Sequence, residues 1–130
     1  MNQDTIPIVL KAFEAALKRD FPAFKDSLTP DCVMATTYPT HLPFGGESKG
    51  PEAVAEQLRR MSEPFEVLGA DMREVLSQGD TVVLIYDEKV RAKATQKSVV
   101  NRAVAVTKVR DGKVASIRIF ADTYAVVGTL

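Results

Sequence analysis

Asn101-Arg102-Ala103-Val104-Ala105-Val106-Thr107-Lys108-Val109-Arg110-Asp111-Gly112-Lys113-Val114-Ala115-Ser116-Ile117-Arg118-Ile119-Phe120-Ala121-Asp122 carries two β-rich runs joined by Asp111-Gly112. Such a dipeptide between alternating apolar residues is a strong short-range hairpin signal. A two-residue turn pairs Arg110 with Lys113, and uninterrupted counting then sets Arg118 opposite Ala105, Phe120 opposite Ala103 and Asp122 opposite Asn101. One face thus combines small residues (Ala103, Ala105, Thr107) with an aromatic, an arginine, a carboxylate and an amide. Small side chains under a helical cover leave room for a cavity. The other face carries Val104, Val106, Ile117 and Ile119, interrupted by Arg102 and Lys108. A sheet that is apolar on both faces needs both covered.

Further strand-like runs, about 67–77 and 81–92, precede this hairpin and are separated by Gln78-Gly79-Asp80, so the second half reads as a four-stranded meander. The first half reads as helical. Ile6, Val9, Leu10, Phe13, Ala16 and Leu17 share one face, with Asp4 or Thr5 as cap and Pro7 tolerated in the first turn. Asp20 caps a short helix bearing Phe21, Phe24 and Leu28, which Thr29-Pro30 is expected to stop. Residues 32–36 form a short strand candidate. The Pro/Gly-rich segment 38–46 is a loop, and a third helix starts at Pro51 with Val54, Leu58, Met61 and Phe65 on its stripe. No repeat or linker divides residues 1–130, which read as one domain. Three short helices cover only one face of the sheet, so a homodimer through Val104, Val106, Ile117 and Ile119 is the expected cover for the other.

The 130 residues are 45% hydrophobic, enough to bury roughly two thirds of the unfolded surface. Seventeen basic and seventeen acidic side chains cancel, and no basic stripe appears. That balance argues against nucleic acid as a partner. Cys32 is the single cysteine, so an intrachain disulfide or cysteine zinc site is ruled out. The N-terminal residues do not resemble a signal peptide, and charges interrupt every apolar run before the ~20 residues of a membrane span. A cytoplasmic location without membrane association is expected.

The order helix, short helix, strand, Pro/Gly loop, helix, meander resembles the nuclear-transport-factor-2-like superfamily over essentially the whole chain. Its local carriers are Leu42-Pro43-Phe44-Gly45-Gly46, Gly50-Pro51-Glu52-Ala53-Val54, Asn101-Arg102, Arg110-Asp111-Gly112-Lys113-Val114 and Phe120-Ala121-Asp122-Thr123. Together they resemble the branch of SnoaL-like and ketosteroid-isomerase-like proteins. The resemblance implies an α+β fold: a cone-shaped, curved mixed or antiparallel sheet wrapped around a pocket, covered by three helices from the N-terminal half, a cystatin-like α+β roll. It implies dimerisation through the convex face and no cofactor. Asp122 matches the final-strand aspartate that serves SnoaL-like cyclases as acid/base. The ketosteroid isomerase set does not carry over. Tyr38 precedes Pro39 where that family has its base, Phe13 is the nearest aromatic to its helix-1 tyrosine, and Ala103-Val104-Ala105 occupies the region of its second acid.

Asp122 is therefore the candidate catalytic residue; its structural alternative is a strand-end aspartate bonded to Asn101 or a backbone amide. Tyr38, His41, Asn101, Arg118, Phe120, Phe13 and Leu58 are the candidate substrate-binding residues. Each has a plainer reading in turn: core packing for Tyr38, Phe13 and Leu58, a solvated loop for His41, an ion pair for Arg118. A lone histidine makes no metal site, so no metal is expected. Two functions fit: cofactor-free isomerisation, cyclisation or hydrolysis of a small hydrophobic substrate through Asp122, or a non-catalytic binding or dimerisation module. The shortage of titratable groups favours the second, because acid/base enzymes usually pair two.

Overall fold

A computed structural model describes residues 5–130. Helix α1 (Thr5–Leu17) buries Val9, Ala12 and Ala15; Asp4, named above as an alternative cap, lies outside the described residues. The helix closes on a Schellman corner. Asp20 N–H reaches the Ala15 carbonyl at 2.9 Å, and Arg19, at φ 57°, donates to Ala16 at 3.1 Å. Asp20 then caps α2 (Phe21–Asp26), its Oδ1 accepting from Ala23 N–H at 3.2 Å. This helix is shorter than its apolar spacing suggested. Leu28 already belongs to strand β1 (Leu28–Thr36), and Pro30 sits where the β1 register slips between Leu28 and Val33, a position that spares the ladder the missing N–H.

After the loop, β2 (Gly46–Lys49) pairs antiparallel with β1 and leads into α3 (Pro51–Ser62), with Pro51 in the first turn. The meander follows as β3 (Phe65–Gln78), β4 (Thr81–Ala92), β5 (Ser98–Arg110) and β6 (Lys113–Phe120). Phe65, expected on the α3 stripe, opens β3 instead. The six strands lie in the order β2-β1-β6-β5-β4-β3, and only β1 and β6 run parallel. The chain ends on a short helix, α4 (Thr123–Val127), which the sequence did not lead one to expect. The curved sheet wraps around α1 and α3, giving the α+β cone expected from the sequence. Among the described residues no helix is long and apolar enough to cross a membrane.

The hairpin register corrects the count made from the sequence. Asp111 and Gly112 form the turn, both at positive φ (54° and 74°), and Arg110 pairs with Lys113. Val109 still pairs with Val114, but Lys108 then pairs with Ser116, leaving Ala115 as the extra residue of a β-bulge. Every later pair moves by one: Thr107 faces Ile117, Ala105 faces Ile119 and Val104 faces Phe120. The bulge has a packing cause. Val114 and Ile117 lie three residues apart, and an unbroken period of two would send one of them into water; both are buried.

Two expectations change as a result. Ile117 and Ile119 face the interior rather than the outer surface, so they cannot belong to an outer dimerisation patch. Arg118 and Phe120 instead join Val104 and Val106 on the outer face, and Phe120 is 45% exposed. Val83 and Ile85 extend that face, each directly opposite Val106 and Val104 on β4.

Candidate active site

Between α1, α2, α3 and the inner face of the sheet lies a cavity of about 130 Å³. Phe13 from α1, Phe24 from α2 and Leu58 and Met61 from α3 form one side; Leu84, Ala105, Ile117 and Ile119 form the sheet side. The small β5 side chains make the room. Ala103 and Ala105 are buried opposite Tyr86 and Leu84, so the volume of each cross-strand pair is carried by β4 alone. Phe13 meets the Tyr86 ring edge-on, centroids 4.8 Å apart.

Inward alternation along β4 runs Val82, Leu84, Tyr86, Glu88, Val90, Ala92. Glu88 is the anomaly in that row, a carboxylate on an apolar stripe, and it lines the cavity. Asn101 is its cross-strand partner on β5. Burial pushes the Glu88 carboxyl above the ordinary glutamate value, while the Asn101 amide and the nearby Arg19 guanidinium pull the other way. Asn101 is 6% exposed, and its orientation is fixed. Its Oδ1 accepts from Asp122 N–H at 3.0 Å, which turns the amide nitrogen toward Glu88.

Tyr38 and Tyr86 complete the polar end of the cavity. Burial is the first cause that raises both phenols, and the negative charge of Glu88 adds to it. Both are therefore protonated donors at any physiological pH. Neither hydroxyl donates to a protein acceptor among the described residues. Tyr38 is held by its loop: Phe44 packs edge-on at 5.1 Å, and backbone turns close Pro39 to Leu42 and Leu42 to Gly45. A Cβ on Gly45 would come within 2.0 Å of the Pro39 carbonyl, so only glycine lets the loop fold back this tightly.

Of the residues named from the sequence, Tyr38, Asn101, Phe13 and Leu58 line this cavity. Arg118 and Phe120 do not, because the bulge turns them outward, and His41 is an exposed loop residue. Asp122 sits at the margin. Its carboxylate accepts from Ala125 N–H at 3.2 Å as the N-cap of α4, and its backbone holds Asn101. It is close enough to Tyr38 for its charge to help raise that phenol. Sequence reasoning missed Glu88, Tyr86 and Arg19. The alternation of β4 was the signal for Glu88 and Tyr86; Arg19 carried none, since nothing in sequence marks a left-handed arginine. Among the described residues no three His, Cys, Asp or Glu side chains cluster as a metal site requires.

Comparison with known proteins bears on the fold and the family. No curated protein matches the sequence. An NTF2-like protein from Burkholderia xenovorans superposes with a TM-score of 0.86 at 26% identity, covering 99% of this chain and 97% of its own. A proposed isomerase from Bacillus subtilis gives 0.86 at 16% identity, covering 99% and 95%. An LEH-like epoxide hydrolase from M. tuberculosis gives 0.77 at 19% identity, covering 99% and 90%. The sequence itself matches the SnoaL-like domain over residues 9–117. With that match spanning most of its length and the cone enclosing a cavity, the chain belongs to the SnoaL-like domain family.

Proposed function

We propose that this protein is a cofactor-independent acid/base enzyme, an isomerase, cyclase or hydrolase acting on a small hydrophobic molecule, with Glu88 as the group that takes and returns the proton. One observation carries the reading: an inward-facing carboxylate in an otherwise apolar cavity, its proton affinity raised by burial. A raised carboxyl pKa brings the group closer to operating pH, where acid/base catalysis is most effective. Tyr38 and Tyr86 supply neutral donors for a substrate oxygen, on which charge develops during enolisation or ring opening. Asn101 positions the carboxylate, and Asp122 acts through its backbone N–H on Asn101. The acid/base role thus moves from Asp122 to Glu88, because the Asp122 carboxylate is engaged in capping α4. Isomerase and epoxide hydrolase, the activities named for two proteins of this fold, are both compatible with one buried carboxylate and two hydroxyl donors.

The test is a screen of small enolisable ketones and epoxides for turnover by wild type, followed by Glu88→Gln. Glutamine preserves shape and removes the proton acceptor. The expected loss in kcat is about 10²–10⁴-fold, with the fold unchanged by circular dichroism. Equal turnover by Glu88→Gln would exclude Glu88 as the acid/base group.

A further inference from the structure

Among the described residues, Arg19 is the only cationic side chain lining the cavity, and Glu88 the only anionic one. Its guanidinium offers five N–H donors. One, from Nη2, goes to the Phe65 carbonyl, and no carboxylate of the described residues lies within ion-pair distance. Glu88 is near enough to feel the Arg19 charge but makes no ion pair with it, so the half-buried guanidinium lacks the paired anion that would offset its desolvation.

The backbone adds a second, independent observation. Arg19 occupies the C′ position of the α1 corner at φ 57°, where glycine is the usual residue and any larger side chain strains the chain. Besides glycine, Gln96 and Asp111 are the other residues with positive φ among those described, and both sit in exposed turns, where the Gln96 amide donates to the Lys93 carbonyl at 2.9 Å. Arg19 alone directs a long cation into the interior. Strain of this kind persists where the side chain has a task.

We infer that Arg19 is the anion-recognition residue of this cavity and that its ligand is a small apolar carboxylic acid of about one ring. A carboxylate matches the planar guanidinium in two parallel hydrogen bonds, which an ammonium or a neutral donor does not reproduce. The size follows from the cavity, whose 130 Å³ approaches the ~150 Å³ of an apolar cavity that holds benzene. Phe13, Leu84 and Ile117 surround the apolar body, and the carboxylate lies toward Arg19. This inference deepens the proposed function by naming the substrate class of the same cavity.

The experiment is calorimetric titration at neutral pH with benzoate and cyclohexanecarboxylate against benzamide and cyclohexanecarboxamide. Wild type is expected to bind each acid about tenfold or more tightly than its amide. Arg19→Gly relieves the backbone strain, so it should melt no earlier than wild type while losing the preference for the acid. Arg19→Lys, which keeps the charge but not the paired geometry, should retain a reduced preference and serves if the glycine variant loosens the corner. Equal binding of acid and amide by wild type overturns the inference, as does failure of both acids to bind at millimolar concentration or an undiminished preference in Arg19→Gly. Glu88→Gln separates the two claims: an acid preference that survives there without any Glu88-dependent turnover leaves Arg19 recognition standing and removes the acid/base reading.

Discussion

Glu88, Asn101 and Asp122 form a chain in which each member fixes the next. Asp122 N–H holds the Asn101 carbonyl oxygen, and the Asn101 amide then faces the Glu88 carboxylate. An amide is a suitable intermediary, because it accepts on one side and donates on the other without competing for the proton. Tyr38 and Tyr86 stand beside this chain with hydroxyls that burial keeps protonated. The cavity end therefore holds one group able to exchange a proton and two that only donate hydrogen bonds. That division of roles is the physical content of the proposed chemistry, and Glu88→Gln, Asn101 and the phenols can each be altered without touching the apolar walls.

At the level of elements, the bulge at Ala115 decides what the cavity contains. Without it, Ile117 and Ile119 would face outward and Arg118 would enter the core. Deleting Ala115 removes the extra residue, so Ser116 should still pair with Lys108 and both isoleucines, each worth about 1.5–3 kcal/mol of burial, should stay inside. Urea denaturation should show a cooperative transition, with a loss well short of the several kcal/mol that exposing both isoleucines would cost; a loss of that size would mean that the bulge does not absorb Ala115. The turn at Asp111-Gly112, the Asp20 cap, the Pro51 start and the β4 and β5 strands were all legible in the sequence, because each has a local cause in turn chemistry, capping or alternation. The bulge was not, since its cause is the shared need of Val114 and Ile117 for the core, visible only once β6 is seen to pack inward. Strand β2 and helix α4 were missed for another reason. Four residues, Gly46-Glu47-Ser48-Lys49, and five, Thr123–Val127, are too short to show a period, and both owe their form to neighbours. The site was half legible for the same causes: Asn101 and Tyr38 were found, whereas Glu88 and Tyr86 required weighing the inner row of β4 as a site rather than as core.

At the scale of the molecule, the outer sheet face bears Val83, Ile85, Val104, Val106 and the exposed Phe120, and no helix of the described chain packs over it. We propose that a second copy covers this face. A two-fold pair would bury the same patch on both subunits, whereas a lone chain leaves it in water. Val106→Lys should then shift sedimentation from dimer to monomer at micromolar concentration, since two charges meet near the symmetry axis. A monomeric wild type, or an intact Val106→Lys dimer, would exclude this interface. The cavity lies on the opposite face, so its chemistry is expected to survive in the monomer. That chemistry depends on one protonation equilibrium inside the folded chain. Its most direct measurement is an NMR titration of the Glu88 side-chain carboxyl in the intact protein, assigned by comparison with Glu88→Gln. Burial in the apolar cavity predicts a midpoint displaced upward from the ordinary glutamate value, and a further rise in Asn101→Ala, which removes a hydrogen bond that favours the charged form. A midpoint at or below the ordinary value would contradict the account.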